Sequence, residues 1–145
     1  MKRVIVLITL MLLVPASSFG GGLKQLQSSL SDGTSYIYEV RSDSRDLWDA
    51  NMDVNPPLTP GDAVTAASDY MQEIPVPENA RGWELRAITL EQIAFEPDHW
   101  IYIVRFLGEA DPEARAENTL MTWFAIIVRM DGTIPIPVVF AALGG

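Results

Sequence analysis

The chain reads as an α+β protein, with one main helix packed on a three- or four-stranded antiparallel sheet. Three observations predict this class. A helix start is written at Thr59-Pro60-Gly61-Asp62. Three strand-like runs follow it: Trp83 to Ile93, Trp100 to Leu107 and Leu120 to Met130. The pair Asp131-Gly132 then marks a tight turn into a fourth run, Thr133 to Phe140.

The helix is the strongest local signal. Thr59 suits the N-cap, because its hydroxyl can accept from unpaired backbone N–H groups. Pro60 at the first helical position gives up no hydrogen bond, and Asp62 favours the positive end of the helix. Ala63, Ala67, Tyr70 and Ile74 recur at helical spacing and form one apolar stripe. The helix is expected to end before Pro75 and Pro77.

Alternation assigns the faces of the sheet. Trp100, Tyr102, Val104 and Phe106 share one side, as do Phe124, Ile126 and Val128, and these are assigned to the helix-covered core. The opposite side carries His99, Ile101, Ile103 and Arg105, then Trp123, Ala125, Ile127 and Arg129. On the first run the matching side is Glu84 and Arg86, with Ala87-Ile88 breaking the alternation as a bulge would. This second face is too apolar to be left in water, and one helix cannot cover both faces. Its expected cover is the segment Leu23 to Val40, a second subunit in a homodimer, or a ligand. Both turn positions of Asp131-Gly132 are expected to take positive φ. Pro135 and Pro137 alternate, so Thr133 to Phe140 is expected to be an edge strand. Gly108 to Asn118 reads as an acidic loop.

The start of the chain carries an address. Lys2 and Arg3 precede the apolar run Val4 to Val14, and Pro15-Ala16-Ser17-Ser18 supplies a break with small residues. That order is the pattern of a secretory signal peptide, cleaved after Ser18 or Gly20. The run is shorter than the roughly 20 residues of a membrane span; an uncleaved anchor is the competing reading. Gly20-Gly21-Gly22 is a joint. Leu23 to Leu30 reads as one or two helical turns, stopped by Ser31-Asp32-Gly33, and Tyr36 to Arg41 as a strand. Ser42 to Pro57 reads as a linker tethered by Trp48. The organisation expected is a signal peptide (1–18), an N-terminal segment and linker (19–57), an α+β domain (58–140) and a short tail (141–145).

Composition narrows the setting. Some 48% of the chain is apolar, enough for a core. Cysteine is absent, which excludes disulfides, a thiolate nucleophile and thiolate metal sites. The net charge is -9, and removing Lys2 and Arg3 makes it -11. Such a chain repels nucleic acid. No stretch after the leader is long enough to span a membrane. The expected location is therefore periplasmic or secreted.

Chemistry is sparse. His99 is the one histidine, and no Gly-x-Ser-x-Gly elbow accompanies it. Asp98 and His99 are adjacent on an extended chain and point to opposite sides, which argues against one shared ion. No catalytic residue, metal site or cofactor is assigned. Arg86, Arg105 and Arg129 share the second face with Trp123. Guanidinium forks suit carboxylates and phosphates. The sharper reading is an anion- or peptide-binding face with Trp123 as an aromatic platform. The plainer one pairs these arginines with Glu84, Glu91 or loop acids.

Three stretches carry a family likeness: Leu58-Thr59-Pro60-Gly61-Asp62-Ala63 at the helix start, Trp100-Ile101-Tyr102-Ile103-Val104 in a middle strand, and Val128-Arg129-Met130-Asp131-Gly132-Thr133-Ile134 at the turn. Together, over Leu58 to Val138, the chain resembles PepSY-type domains of exported bacterial proteins and, more loosely, the cystatin-like arrangement. The resemblance implies a non-enzymatic module that binds or restrains a partner. The expected function is an exported binding module that meets a peptide or protein through the sheet face. The alternative is a small-ligand carrier or small enzyme with a pocket between helix and sheet. Intact mass of the chain recovered from periplasm or medium is expected to lack residues 1–18 or 1–20; recovery of a chain beginning at Met1 would exclude cleavage.

Overall fold

The structure, a computed structural model, describes residues 22–78, 80–110 and 122–142. The expected leader and residues 111–118 of the acidic loop lie outside the described residues. In chain order the elements are β1 (Leu23–Ser29), β2 (Ser35–Arg41), a 3-10 turn (Ser44–Asp46), α1 (Pro60–Met71), β3 (Ala80–Gln92), β4 (Trp100–Ala110), β5 (Trp123–Arg129) and β6 (Val138–Phe140). They form a mixed α+β fold that is largely strand. Instead of one sheet of three or four strands there are two three-stranded antiparallel sheets, β3-β4-β5 and β1-β2-β6.

Helix α1 begins as its sequence dictates. Thr59 is the N-cap and its hydroxyl accepts from the Asp62 N–H at 3.1 Å, with Pro60 in the first turn. It stops at Met71, a turn before Pro75. Ala63, Ala67 and Met71 are buried and belong to the same cluster as Tyr102, Val104, Phe106, Phe124, Ile126 and Val128. The Tyr102 hydroxyl donates to the Leu58 carbonyl at 2.8 Å, and Tyr38 and Tyr70 join their hydroxyls at 3.1 Å.

The register of the larger sheet places the two side-chain sets as alternation requires. Tyr102 faces Val128, Val104 faces Ile126, and Phe106 faces Phe124. On the other side Ile101 pairs with Arg129, Ile103 with Ile127, and Arg105 with Ala125. The β3 register shifts between Leu85 and Ala87, so Arg86 is the extra residue of a bulge.

Both faces are buried: Ile101, Ile103 and Ile127 are as inaccessible as Val104 and Ile126. The β1–β2 hairpin crosses the β5 edge and meets both sides of the sheet: Tyr36 and Tyr38 set their rings 5.2 and 6.4 Å from Phe124 of the helix-side face, while other contacts reach the second side. Lys24 reaches Glu91 on β3 at 2.7 Å, and the Gly22 N–H donates to Glu96 at 3.1 Å. Gly22 sits so close to the β3–β4 loop that a Cβ there would lie 2.5 Å from the Ala94 carbonyl. At the free edge of β5, the Ser28 hydroxyl accepts from the Ala125 N–H at 2.9 Å and donates to its carbonyl at 3.1 Å. Leu23–Ser29 is thus a strand, not the helical turns its leucine spacing suggested. Its exposure alternates with period two, and it pairs along its whole length with β2.

The two Asp-Gly pairs build the same turn. Gly33 and Gly132 take φ of 88° and 84°. Leu30 and Thr34, like Arg129 and Thr133, are closed by a backbone bond, and Asp32 and Asp131 each accept from the N–H of the following threonine. Asp131 does not take positive φ, contrary to expectation; this is a tight turn with only the glycine left-handed. Beyond it, Thr133 to Phe140 does not return along β5. Pro135 and Pro137 have no N–H to give a ladder, and only Val138–Phe140 forms a strand, at the edge of the other sheet beside β2.

Burial on both faces has a measurable consequence. Ile127→Ala is expected to lower the free energy of unfolding by about 2–5 kcal/mol in urea titration. A loss under about 0.5 kcal/mol, typical of surface positions, would show that the second face is open.

Candidate functional site

The structure separates the four residues that the sequence grouped. Arg129 is buried. Its Nε donates to Asp46 Oδ1 at 2.9 Å, its Nη2 contacts Asp46 Oδ2, and the same nitrogen donates to the Arg41 carbonyl at 3.1 Å. Asp43 Oδ1 lies 2.9 Å from that nitrogen. Asp46 is 0% exposed and also accepts from the Asp43 N–H, closing a capping box on the 3-10 turn. Hydrogen bonds from Arg45, with help from Arg129, hold the Asp43 carboxyl well below the usual range. Arg129 therefore anchors the chain after β2 and offers no open guanidinium.

Arg86 sits in the β3 bulge, exposed, and pairs with Glu84 at 2.9 Å. Arg105 is partly buried. Its Nη1 donates to Thr89 at 3.0 Å, and its Nη2 lies 3.9 Å from Glu91, which Lys24 also engages. Trp123 is 53% exposed. Arg105 and Trp123 do come together, in a hollow of about 230 Å³ at the β1–β5 seam that Gln27, Ser28, Phe124 and Ala125 complete.

His99 is held at the end of the β3–β4 loop. Its Nδ1 is 3.6 Å from Glu96 Oε2, and its backbone bridges Leu47. Among the described residues no three of His, Cys, Asp and Glu are arranged to hold a metal ion. Trp48 does tether the segment after β2: its backbone N–H donates to the Asp98 carbonyl at 2.8 Å and its ring packs on Trp100 at 5.5 Å.

Asp46, Gln27 and Ser28 were not anticipated. For Asp46 a signal existed, since Asp43 and Asp46 stand at capping-box spacing in Asp43-Ser44-Arg45-Asp46. Gln27 and Ser28 escaped because their segment reads equally well as helix. Compared with known families, curated proteins and solved structures, the chain has no match.

The two arginine environments predict opposite outcomes. Arg129→Ala leaves Asp46 charged and buried, and is expected to lower stability by about 3–5 kcal/mol in urea titration. Arg86→Ala breaks only an exposed pair and is expected to change it by less than about 0.5 kcal/mol. Equal effects would contradict the buried anchor.

Proposed function

We propose that the protein is an exported, non-enzymatic binding module that takes a peptide or protein partner in the hollow formed by Arg105 and Trp123. The observation that carries this reading is a half-exposed tryptophan beside a partly buried arginine in one hollow. Among the described residues Arg105 donates one hydrogen bond, to Thr89, and a guanidinium has five N–H donors. The indole offers a flat apolar surface, and an arginine fork can take a partner's carbonyl or carboxylate. The seam beside it exposes the β1 side chain Gln27.

In this reading α1 packs on one face of β3-β4-β5, the β1–β2 hairpin crosses the β5 edge, and the partner meets the corner beside that crossing. The leader pattern at Lys2 to Ser18 supports a periplasmic or secreted setting. The PepSY-like stretches point to the same class of partner-binding domain.

The test is photocrosslinking in producing cells, with a benzophenone amino acid in place of Gln27. A discrete adduct is expected that disappears in Arg105→Ala and in Trp123→Ala. The same probe in place of Phe95, which is 100% exposed at the far loop, is expected to give none. An identical adduct from both positions, or one indifferent to both substitutions, would overturn the assignment.

A further inference from the structure

A second surface differs in chemistry from the Arg105–Trp123 hollow and does not depend on it. Where α1 ends against β3 and β4, a groove of about 370 Å³ is lined by Met71, Gln72, Val76, Trp83, Leu85 and Phe106. A second hollow of about 310 Å³ adjoins it, lined by Leu30, Asp32, Val76 and Glu78 among others. Val76 lines both, which sets the two side by side. Val76 and Leu85 remain 47% and 43% exposed. Covering such side chains removes apolar surface from water, which favours binding.

Among the residues that line the two hollows, the charged ones are Asp32 and Glu78. No Lys or Arg occurs between Arg45 and Arg81. The last turn of α1 has no basic residue, and Glu73 follows directly after the helix. A helix C-terminus is already negative through its unpaired carbonyls, so an acid there is unfavourable unless a cation joins it. Asp32 and Glu78 add two carboxylates in the second hollow. The Asp32 carboxyl accepts from the Thr34 N–H at 2.8 Å, which favours its charged form. Asp32, Glu73 and Glu78 form no ion pair with any described residue. The complement to an apolar hollow beside an acidic one is a ligand with both an apolar and a positive group.

We propose that these two adjoining hollows bind a cationic amphipathic peptide segment, with a bulky apolar side chain against Trp83 and Leu85 and a lysine or arginine between Asp32 and Glu78. The binding energy comes from covering Val76 and Leu85, and the charge selects the partner.

The experiment is calorimetric titration of the intact chain with a short peptide of alternating lysine and leucine. One saturable site is expected. Affinity is expected to fall by about tenfold, or 1.4 kcal/mol, in Val76→Lys and in the double variant Asp32→Asn/Glu78→Gln. It is expected to hold in Phe95→Ala and Asp98→Asn, which lie on the far loop, and the matching glutamate–leucine peptide is expected not to bind. All these positions are exposed, and near-ultraviolet circular dichroism confirms the fold of each variant. Equal weakening by Asp98→Asn and by the Asp32/Glu78 pair would mean diffuse attraction to an acidic protein, and would overturn the proposal. So would full affinity in Val76→Lys, or tighter binding of the uncharged dye Nile red than of the peptide, which would make the groove a small-molecule pocket.

Discussion

The fold is organised by the need to bury both sides of strand β4. Ile101 and Ile103 point one way, Tyr102, Val104 and Phe106 the other, and all five are buried. Antiparallel sheets commonly leave one face to water, and the alternation then runs apolar to polar. Here it runs apolar to apolar, so the sheet needs two layers of cover. The buried residues of α1, of the β1–β2 hairpin and of β4 and β5 accordingly form one cluster, with Trp83 and Ile88 of β3 packed against it. The hairpin also meets the β5 edge, where Ser28 satisfies the Ala125 backbone with a side chain instead of a ladder. A free edge would otherwise leave polar groups unpaired at a buried seam.

Covering the second face has a polar consequence. Arg129 lies on that face, and a guanidinium taken out of water must be paired. Asp46 meets it from the segment after β2, with Asp43 and the Arg41 carbonyl at the rim. Replacing such a pair by apolar residues is often neutral, so its contribution is better understood as placement than as net stability. It fixes where the chain must run between β2 and α1. Trp48 packed on Trp100 continues the same path toward the β3–β4 loop.

The covers also determine what remains for a partner. At the β1–β5 seam the hairpin leaves a hollow in which Arg105 and Trp123 come together. On the other side α1 stops at Met71, and Val76, Trp83 and Leu85 continue the apolar surface past it. Each candidate surface lies where one of the two covering layers ends. Their charges differ: an arginine borders the first, while the carboxylates of Asp32 and Glu78 border the second.

What the sequence determined by itself was local. Thr59, Pro60 and Asp62 act within one turn of chain, so the helix start was legible. Alternation in Trp100–Ala110 and Trp123–Arg129 set which side chains share a face, and the break at Ala87-Ile88 located the bulge to within a residue. The pairings of Arg86 with Glu84 and of Arg105 near Glu91 were among the simpler readings, because those acids stand on the same strand or its neighbour. The remainder was decided by contacts distant in the chain. Leu23, Leu26 and Leu30 fit a helix as well as a strand, and pairing with β2 chose the strand. Pro135 and Pro137 barred a ladder with β5 but did not say that Val139 would lie beside Tyr36. The partner of Arg129 stands 83 residues away, at Asp46. Propensities, caps and alternation act between neighbours, whereas burial depends on which distant surfaces meet, and only the folded chain brings those together.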